Sequence, residues 1–241
     1  MCGIAGVVDP ITPPNEAVLA RMEASLVKRG PDAVGQYCHG PLGLLHRRLS
    51  IIDLSEAGQQ PLYNEDRSLA VIANGEIYDY IGIRNELIGK GHAFRSDSDS
   101  EVLLHLYEEY GPQMVERLNG MFAFCIANLQ SNELFIARDR LGQKPLFYAH
   151  SGRRIAFASG PRALASLSWV DRTIDPQAIH DYLELQQIQS PASVYCGIRK
   201  LPPGCTLKWS NGTVTIGQYW TPALRADDGI VYEDAVSELK Y

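Results

Sequence analysis

MCGIAGVVDP, residues 1–10, combines a predicted β-strand with a candidate nucleophile and is the most informative segment for the fold. Residues 2–8 are apolar, include Ile and Val, and are followed by Asp-Pro, which predicts a buried β-strand. If Met1 is removed, Cys2 carries a thiol nucleophile and a free α-amine on one residue. The pKa of such an amine, about 7.7–8.0, lets it act as a base near neutral pH. Taken alone, Met-Cys is explained as well by a buried cysteine, since free cysteine is among the most buried residue types.

The rest of the chain predicts further helices and strands. Apolar residues at helical spacing predict a helix over residues 15–28, and a further helix is expected over residues 175–189. The capping box SDSE (98–101) predicts a helix that begins at Ser98. Short apolar runs predict strands over residues 42–46, 69–74, 121–127, 133–137, 146–150 and 154–158. Turn residues at 128–132, 151–152 and 210–212 indicate hairpins. We interpret residues 2–220 as one domain, and residues 221–241 as a linker and the start of a truncated or absent second domain.

Composition excludes several classes of function. Hydrophobic residues make up 45% of the 241 residues and charged residues 21%, as in a soluble globular protein. The net charge of −6 and the lack of a basic run argue against nucleic-acid binding. No stretch is long and apolar enough to span a membrane, and residues 1–10 lack the basic segment of a signal peptide. The five cysteines have no C-x-x-C spacing. We therefore expect a cytoplasmic protein without a metal.

Seven sequence blocks occur in an order that is specific to one family. They are MCGIAGVVD (1–9), RGPD (29–32), LHRRLSIIDLSEAGQQPL (45–62), NGEIYD (74–79), SDSE (98–101), GMFAF (120–124) and RDRLGQKPLFY (138–148). Together they resemble the glutaminase domain of glutamine-hydrolysing asparagine synthetases, which are class II glutamine amidotransferases. The later GIRKLPPG (197–204) resembles the segment before the synthetase domain of that family. The resemblance covers nearly all of residues 2–220.

The resemblance implies an α+β fold, the four-layer αββα sandwich of the N-terminal-nucleophile hydrolases. It also implies that Cys2 attacks the side-chain amide of L-glutamine. The negative charge that develops on the carbonyl oxygen needs fixed neutral donors. The resemblance assigns this role to the side chain of Asn74 and the backbone N–H of Gly75. An Asn-Gly turn between strands is the alternative interpretation of the same two residues.

Recognition of free glutamine needs partners for its α-carboxylate and α-ammonium groups. Arg48 matches the carboxylate-binding position of the family, and Arg47 is less suitable because adjacent strand residues face opposite sides. Asp99 matches the position that binds the ammonium, although a carboxylate in the first turn of a helix is also favourable by roughly 0.3–1 kcal/mol. Glu76 is a further candidate for the wall of the site, or a solvated charge at the end of a strand.

Other charged residues receive no chemical step. His46 and the remaining histidines are expected to be structural or exposed, because a terminal amine removes the need for a catalytic histidine. Arg138-Asp139-Arg140 is either a surface ion-pair turn or, as the resemblance implies, part of the wall of the amide site. Asp79 and Gly160 depart from the residues that the family usually has, but neither departure affects the nucleophile or the expected donors.

The expected partner is a synthetase that consumes the ammonia. No S-G-G-x-D-S or G-x-x-x-x-G-K loop occurs in the chain, so ATP and Mg²⁺ are expected only in a synthetase domain or separate subunit. The glutaminase reaction itself needs no cofactor, and a homodimer is possible. Two alternatives are an N-terminal-nucleophile hydrolase that acts on another amide, and a non-catalytic regulatory or assembly module that retains the fold.

Overall fold

The fold is built from β-strands in two groups with helices between and after them. The structure, a computed structural model, describes residues 1–223 and 231–238. The strands are β1 (Gly3–Val8), β2 (Ala33–His39), β3 (Leu42–Arg48), β4 (Leu62–Tyr63), β5 (Leu69–Ile77), β6 (Gly120–Asn128), β7 (Leu134–Arg138), β8 (Phe147–Ser151), β9 (Arg154–Ala158), β10 (Arg199–Lys200), β11 (Cys205–Ser210) and β12 (Thr213–Gln218). The α-helices are α1 (Glu16–Ala24), α2 (Tyr80–Gly89), α3 (Val102–Tyr110), α4 (Pro161–Ala165), α5 (Pro176–Leu185) and α6 (Tyr232–Glu238). Short 3₁₀ turns occur at Glu56–Gly58, Asp99–Glu101 and Gly111–Arg117.

Over the described residues the strands form two antiparallel sheets. The first sheet has the order β10-β8-β9-β1-β3-β2, and the second has the order β12-β11-β7-β6-β5-β4. β1 is central, paired with β3 on one side and β9 on the other. β5 pairs with β6 along its whole length, but β4 covers only its first residues, at Ala70 and Val71. The second half of β5 therefore has an open edge.

Three apolar clusters define four layers. One cluster lies between the sheets and joins β1, β3 and β9 to β5, β6 and β11. A second packs α2 and α3 on the outer face of the second sheet, and a third packs α1 and α4 on the outer face of the first. This arrangement confirms the predicted four-layer αββα sandwich.

Strand alternation assigns each side chain to the inner or the outer face. Ile4 on β1, Leu44 on β3 and Ile72 on β5 belong to the cluster between the sheets. Their neighbours Ala5 and Leu45 belong to the outer cluster. Even-numbered residues of β1, β3 and β5 therefore point inward, which decides where the polar residues at the ends of these strands lie.

Most predicted elements are confirmed, with differences at their ends. The hairpins β6–β7, β8–β9 and β11–β12 form where turn residues indicated them. The helices predicted over 15–28 and 175–189 are shorter, because α1 ends at Ala24 and α5 ends at Leu185, before Gln186 in the left-handed conformation. α6 lies within residues 221–241, the segment interpreted as a linker and the start of a second domain, of which residues 224–230 and 239–241 lie outside the described part.

A helical segment starts after Ser98 as predicted, but its first turn is a 3₁₀ turn and the capping box does not form. Ser98 Oγ accepts from Ser100 N–H at 3.3 Å. The carboxylate of Glu101 accepts instead from the backbone N–H groups of Arg95 and Ser96, at 2.7 and 2.8 Å. The α-helix begins only at Val102, after the 3₁₀ turn. No helix in residues 1–223 or 231–238 is long and apolar enough to cross a membrane.

Candidate active site

A pocket opens at the end of the sandwich where the apolar inner faces give way to polar side chains. Its wall includes every residue that the sequence analysis placed in the site: Cys2, Arg48, Asn74, Gly75, Glu76 and Asp99. Side chains two or four residues apart on a strand point to the same face. Cys2, Arg48 and Asn74 lie at these spacings from the inner-face residues Ile4, Leu44 and Ile72, so all three point towards the space between the sheets. Two sheets and one 3₁₀ turn thus supply one pocket.

The backbone around Cys2 is fixed from three sides. Gly3 pairs with Arg47 on β3. Ser159 Oγ accepts from Ile4 N–H at 3.0 Å, and Ser159 N–H donates to the Ile4 carbonyl at 2.9 Å. Arg29 Nε donates to the carbonyl of Cys2 at 3.1 Å. Cys2 therefore sits at the start of a strand whose position is determined by long-range contacts.

The Cys2 thiol is half-buried and faces the pocket. Its Sγ lies 3.6 Å from the carbonyl of Leu49 and 3.4 Å from the N–H of the same residue. Burial raises the pKa of this thiol, and the N–H of Leu49 opposes that rise. The resting side chain is therefore a neutral thiol, and nucleophilic attack requires a nearby base.

His46 lines the pocket but is not suited to be that base. It is 1% exposed, and its Nε2 lies 3.2 Å from the carbonyl of Ala73, so Nε2 carries the proton. Burial lowers the pKa of His46 to about 3, with the charge of Arg48 adding to the effect. His46 is therefore structural, as expected, and it also lies on the pocket wall.

Asn74 lies inside β5 and not in a turn, so the alternative interpretation of Asn-Gly is wrong. β5 continues to Ile77, and Asn74 pairs with Ala123 of β6. The Asn74 side chain is 1% exposed. Its Nδ2 and Oδ1 have no hydrogen-bond partner within the described chain. A buried, unpartnered amide is costly, by roughly 1–3 kcal/mol, and is available to a ligand in the pocket.

The backbone N–H of Gly75 faces the open edge of β5. On this edge Ala73 N–H donates to Gln60 Oε1 at 2.6 Å, and Ile77 N–H donates to Asp99 Oδ2 at 2.8 Å. N–H groups two residues apart on a strand point to the same side, so Gly75 N–H lies between these two. A Cβ at this position would lie 2.1 Å from the carbonyl oxygen of Met121, so only glycine fits.

Arg48 reaches the pocket from the end of β3. Its Nη1 donates to the carbonyl of Ser55 at 2.8 Å, and its Nη2 contacts the carbonyls of Ile52 and Asp53. A guanidinium has more N–H donors than these bonds use. Arg47 faces the outer layer, where its Nη1 lies 3.1 Å from Glu23 Oε1. Of these two arginines, Arg48 is therefore the one placed to meet a ligand in the pocket.

Asp99 supplies a buried carboxylate opposite the edge of β5. It is 5% exposed, and Asp99 Oδ2 accepts from Ile77 N–H. Burial raises its pKa, and the charge of Glu76 adds to the rise. Glu76 is half-buried on the pocket wall, so it is not the solvated strand-end charge of the alternative interpretation. The pocket thus combines a thiol, open amide donors, a guanidinium and carboxylates.

A model of the glutamine amidotransferase domain matches residues 1–220. The chain belongs to this family. Among curated proteins, asparagine synthetase [glutamine-hydrolyzing] 1 of Bacillus subtilis is 38% identical over 97% of this chain and 38% of its own length. Asparagine synthetase [glutamine-hydrolyzing] 3 of the same organism is 35% identical over 91% of this chain and 36% of its own length. This amidotransferase chain thus spans little more than a third of these relatives.

Solved structures agree with the fold of this glutamine amidotransferase chain. Glutamine phosphoribosylpyrophosphate amidotransferase from B. subtilis superposes with a TM-score of 0.67 at 18% identity, over 92% of this chain and 50% of that chain. A structure of the allosteric regulatory enzyme of purine biosynthesis gives 0.68 at 19% identity, with the same coverage.

The loop after β7 of the amidotransferase is not a surface ion-pair turn. Asp139 is 1% exposed, and its carboxylate accepts from the N–H groups of Phe122, Gln143 and Lys144 at 2.9–3.2 Å. Arg138 donates to backbone carbonyls, including that of Lys144 at 2.8 Å. Lys144 lines the pocket. Both charges therefore shape a loop that forms part of the wall.

Several residues that organise the amidotransferase pocket were not identified from the sequence. Arg29 and Ser159 fix the backbone beside Cys2, and Gln60 holds Ala73 N–H. Each is a long-range contact, up to 155 residues apart in the chain. Local sequence patterns carry no information on such contacts, although Arg29 and Gln60 lie inside blocks of the family resemblance.

The two departures from the family pattern lie outside the pocket wall. Asp79 is exposed at the N-cap of α2, and its side chain makes no capping bond. Gly160 occupies the N-cap of α4, with Pro161 at the first position of the helix.

Proposed function

We propose that this chain hydrolyses the side-chain amide of L-glutamine to glutamate and ammonia. The observation that carries this proposal is the amide of Asn74, buried and unpartnered in the same pocket as the Cys2 thiol. An amide N–H held in place beside a nucleophile is suited to stabilise the oxyanion of an acyl transfer reaction. The family to which the chain belongs supports the choice of glutamine as the substrate.

Arg48 and Asp99 are proposed to recognise the amino-acid end of the substrate. The Arg48 guanidinium matches the planar geometry of an α-carboxylate, and the ionised Asp99 carboxylate pairs with the α-ammonium. Glu76 adds a second negative charge near that ammonium. An uncharged amide or a peptide bond presents neither group, so this pair selects a free amino acid.

The chemical steps use residues of this chain alone. The Cys2 sulfur attacks the amide carbon, and the thiol proton passes to the Cys2 α-amine, directly or through a water. The carbonyl oxygen becomes an oxyanion that Asn74 Nδ2 and Gly75 N–H stabilise. The C–N bond breaks as the departing nitrogen takes the proton, which releases ammonia. Water then attacks the γ-glutamyl thioester, and glutamate leaves as the thiol is restored.

Removal of Met1 has two consequences in this mechanism. It converts the amide nitrogen of Cys2 into a free amine, which can accept a proton near neutral pH. It also takes away a side chain that lies on the pocket wall. The mechanism therefore requires a chain that begins at Cys2.

We further propose that the ammonia is used for an ATP-dependent synthesis of asparagine. The support is that the two B. subtilis relatives are glutamine-hydrolysing asparagine synthetases, of whose lengths this chain covers 38% and 36%. The synthetase activity, with its ATP and Mg²⁺, belongs on another domain or subunit. A cytoplasmic location and a homodimer stay predictions from the sequence.

Substitution of the recognition pair tests whether the substrate is a free amino acid. Arg48→Lys is expected to raise the KM for glutamine about 10–100-fold, because a charged hydrogen-bonding pair is worth about 1.5–3 kcal/mol. Arg47→Lys, the same change on the outer face, is the matched control and should leave KM unchanged. Equal activity of the unaltered chain on γ-amides that lack the free α-groups would support the alternative of a hydrolase for other amides.

Binding of glutamine should weaken as the pH falls. Because burial raises the pKa of Asp99, this carboxylate takes up a proton above the ordinary aspartate range near about 3.9 and then cannot pair with an ammonium. Calorimetry on Cys2→Ala protein, which binds without turnover, should show a dissociation constant that rises towards acid pH. Adding Asp99→Asn should weaken binding about 10²-fold at neutral pH and flatten this dependence. Asp97→Asn changes an exposed neighbour and is the control, which should bind glutamine as the parent does. If the pH profile of binding were unchanged in Asp99→Asn, Asp99 would not take part in recognition.

A further inference from the structure

A cluster of two histidines and two glutamates lies on the outer helical layer of the second sheet, apart from the pocket. Its members are Glu65, His92, His105 and Glu108. His105 and Glu108 are three residues apart on α3, and the other two come from the loops after β4 and α2. One ligand atom from each residue lies within 4.8 Å of the others. The cluster therefore joins three separate segments at one point.

The nitrogen–oxygen distances in the cluster are close to those of a tetrahedral metal site, with the two oxygens of Glu65 each facing a different histidine. Zinc bonds of about 2.0–2.2 Å to nitrogen and oxygen place the corners of a tetrahedron about 3.3 Å apart. His105 Nδ1 lies 2.9 Å from Glu108 Oε2 and 3.7 Å from Glu65 Oε2. His92 Nδ1 lies 3.5 Å from Glu65 Oε1 and 3.7 Å from Glu108 Oε2. These nitrogen–oxygen distances fall on both sides of the tetrahedral value.

The ligand atoms are held by a second set of polar groups. The buried Asn64 donates from Nδ2 to Glu108 Oε1 at 2.9 Å, and Ala93 N–H donates to Glu65 Oε1 at 2.9 Å. On the far side of its ring, His92 Nε2 lies 3.2 Å from Glu109 Oε1. Metal-binding histidines commonly donate their second N–H to a carboxylate in this way, which fixes the tautomer that leaves Nδ1 free to coordinate.

Charge and burial also favour a cation at this point. The His105 and His92 side chains are 1% and 14% exposed, whereas those of Glu65 and Glu108 are 38% and 25% exposed, so the imidazoles form the enclosed side of the cluster and the carboxylates its solvent side. Two carboxylates with neutral imidazoles carry a charge that a divalent cation balances.

We propose that Glu65, His92, His105 and Glu108 bind one Zn²⁺ ion as a structural site. Four protein ligands leave no open position, as in zinc sites that stabilise folds. The ion would join α3 to the loop of residues 90–98, which leads directly into the turn that carries Asp99. Cysteine spacing predicts no metal, and the proposal departs from that expectation because its ligands are histidines and glutamates from distant segments.

Zinc titration of the purified chain tests the site without reference to catalysis. The experiment uses metal-stripped Cys2→Ala protein, so that the reactive thiol cannot bind the ion, and adds Zn²⁺ in competition with a chromophoric chelator. We expect one Zn²⁺ per chain and a raised unfolding temperature, since a ligand that binds only the folded state stabilises it. X-ray absorption of the complex should show nitrogen and oxygen at about 2.0–2.2 Å and no sulfur.

Two variants with partly exposed side chains connect the binding to these residues. Glu65→Gln and His92→Asn should each weaken Zn²⁺ binding by at least about tenfold, while the metal-free proteins remain folded by circular dichroism. His180→Asn and Glu184→Gln, which alter an exposed His–Glu pair on α5, are the matched controls and should bind as the parent does. Failure to bind Zn²⁺, sulfur among the ligands, or unchanged affinity in both cluster variants would overturn the proposal.

Discussion

Cys2→Ala is expected to lower the rate of glutamine hydrolysis by on the order of 10⁴–10⁶-fold, as removal of a covalent nucleophile does in other hydrolases. The thiol is the nucleophile of the proposed mechanism, and among the described residues no other cysteine lies on the pocket wall. Alanine is small enough for Met1 to be removed as before, so the amine remains. Glutamate release from glutamine by the isolated chain is the measurement. Binding of glutamine, measured by calorimetry, should persist.

The control for this substitution is a thiol elsewhere on the surface. Cys196 is exposed and free, so Cys196→Ala should hydrolyse glutamine at the parent rate. Undiminished turnover in Cys2→Ala would remove Cys2 from the mechanism. It would leave a different nucleophile as the better account of the hydrolysis, whereas the absence of glutamate release by the parent chain itself would favour the non-catalytic module.

Asn74→Ala is expected to lower kcat by about 10²–10³-fold with a much smaller effect on KM. The Asn74 amide bonds to the substrate carbonyl oxygen chiefly after this oxygen has become an oxyanion. Loss of the amide therefore raises the free energy of the transition state more than it weakens substrate binding. In the unaltered protein the Asn74 side-chain amide has no hydrogen-bond partner within the described chain. Its removal therefore leaves no other group without a hydrogen bond. Folding should therefore be retained.

A matched change outside the pocket separates chemistry from folding. Asn85→Ala on α2 replaces the same residue type without touching the pocket wall, and it should leave both kcat and KM as in the parent. If Asn74→Ala raised KM and left kcat unchanged, Asn74 would be a binding residue and the proposed oxyanion role would be wrong.

Alternation along strands explains why much of the pocket could be predicted. Neighbouring strand residues face opposite sides, which favours Arg48 over Arg47, and the structure has Arg48 on the pocket wall and Arg47 beside Glu23. The apolar runs of β1, β5 and β6 are long enough to identify as strands. The sequence blocks of the family resemblance assign roles to residues whose chemistry local patterns leave open.

Weakly patterned elements could not be predicted. β2 alternates between half-buried and exposed residues at the edge of its sheet, and Gly35 and Gln36 interrupt its apolar pattern. α2 buries only Ile83 and Leu87 and contains two glycines, so its helical spacing is faint. Both elements are specified by their neighbours more than by their own sequences.

Long-range side-chain contacts were beyond any local pattern. The turn interpretation of Asn74 and Gly75 fails because β6 pairs with β5 through Ile77. Gln60 bonds to Ala73 N–H across the open edge of that strand. The proposed zinc site could not be predicted for the same reason, because its four ligands come from three segments that are brought together only when the helical layer packs.

The most direct test of the central claim is the mass of the N-terminal peptide after reaction with glutamine and rapid acid quenching. The proposal predicts that this peptide begins at Cys2, lacks Met1, and carries a γ-glutamyl group on the Cys2 sulfur in a fraction of the molecules. The label should disappear in Cys2→Ala. A fully active protein whose N-terminal peptide retains Met1, or a glutamyl group attached to a different residue, would contradict the account.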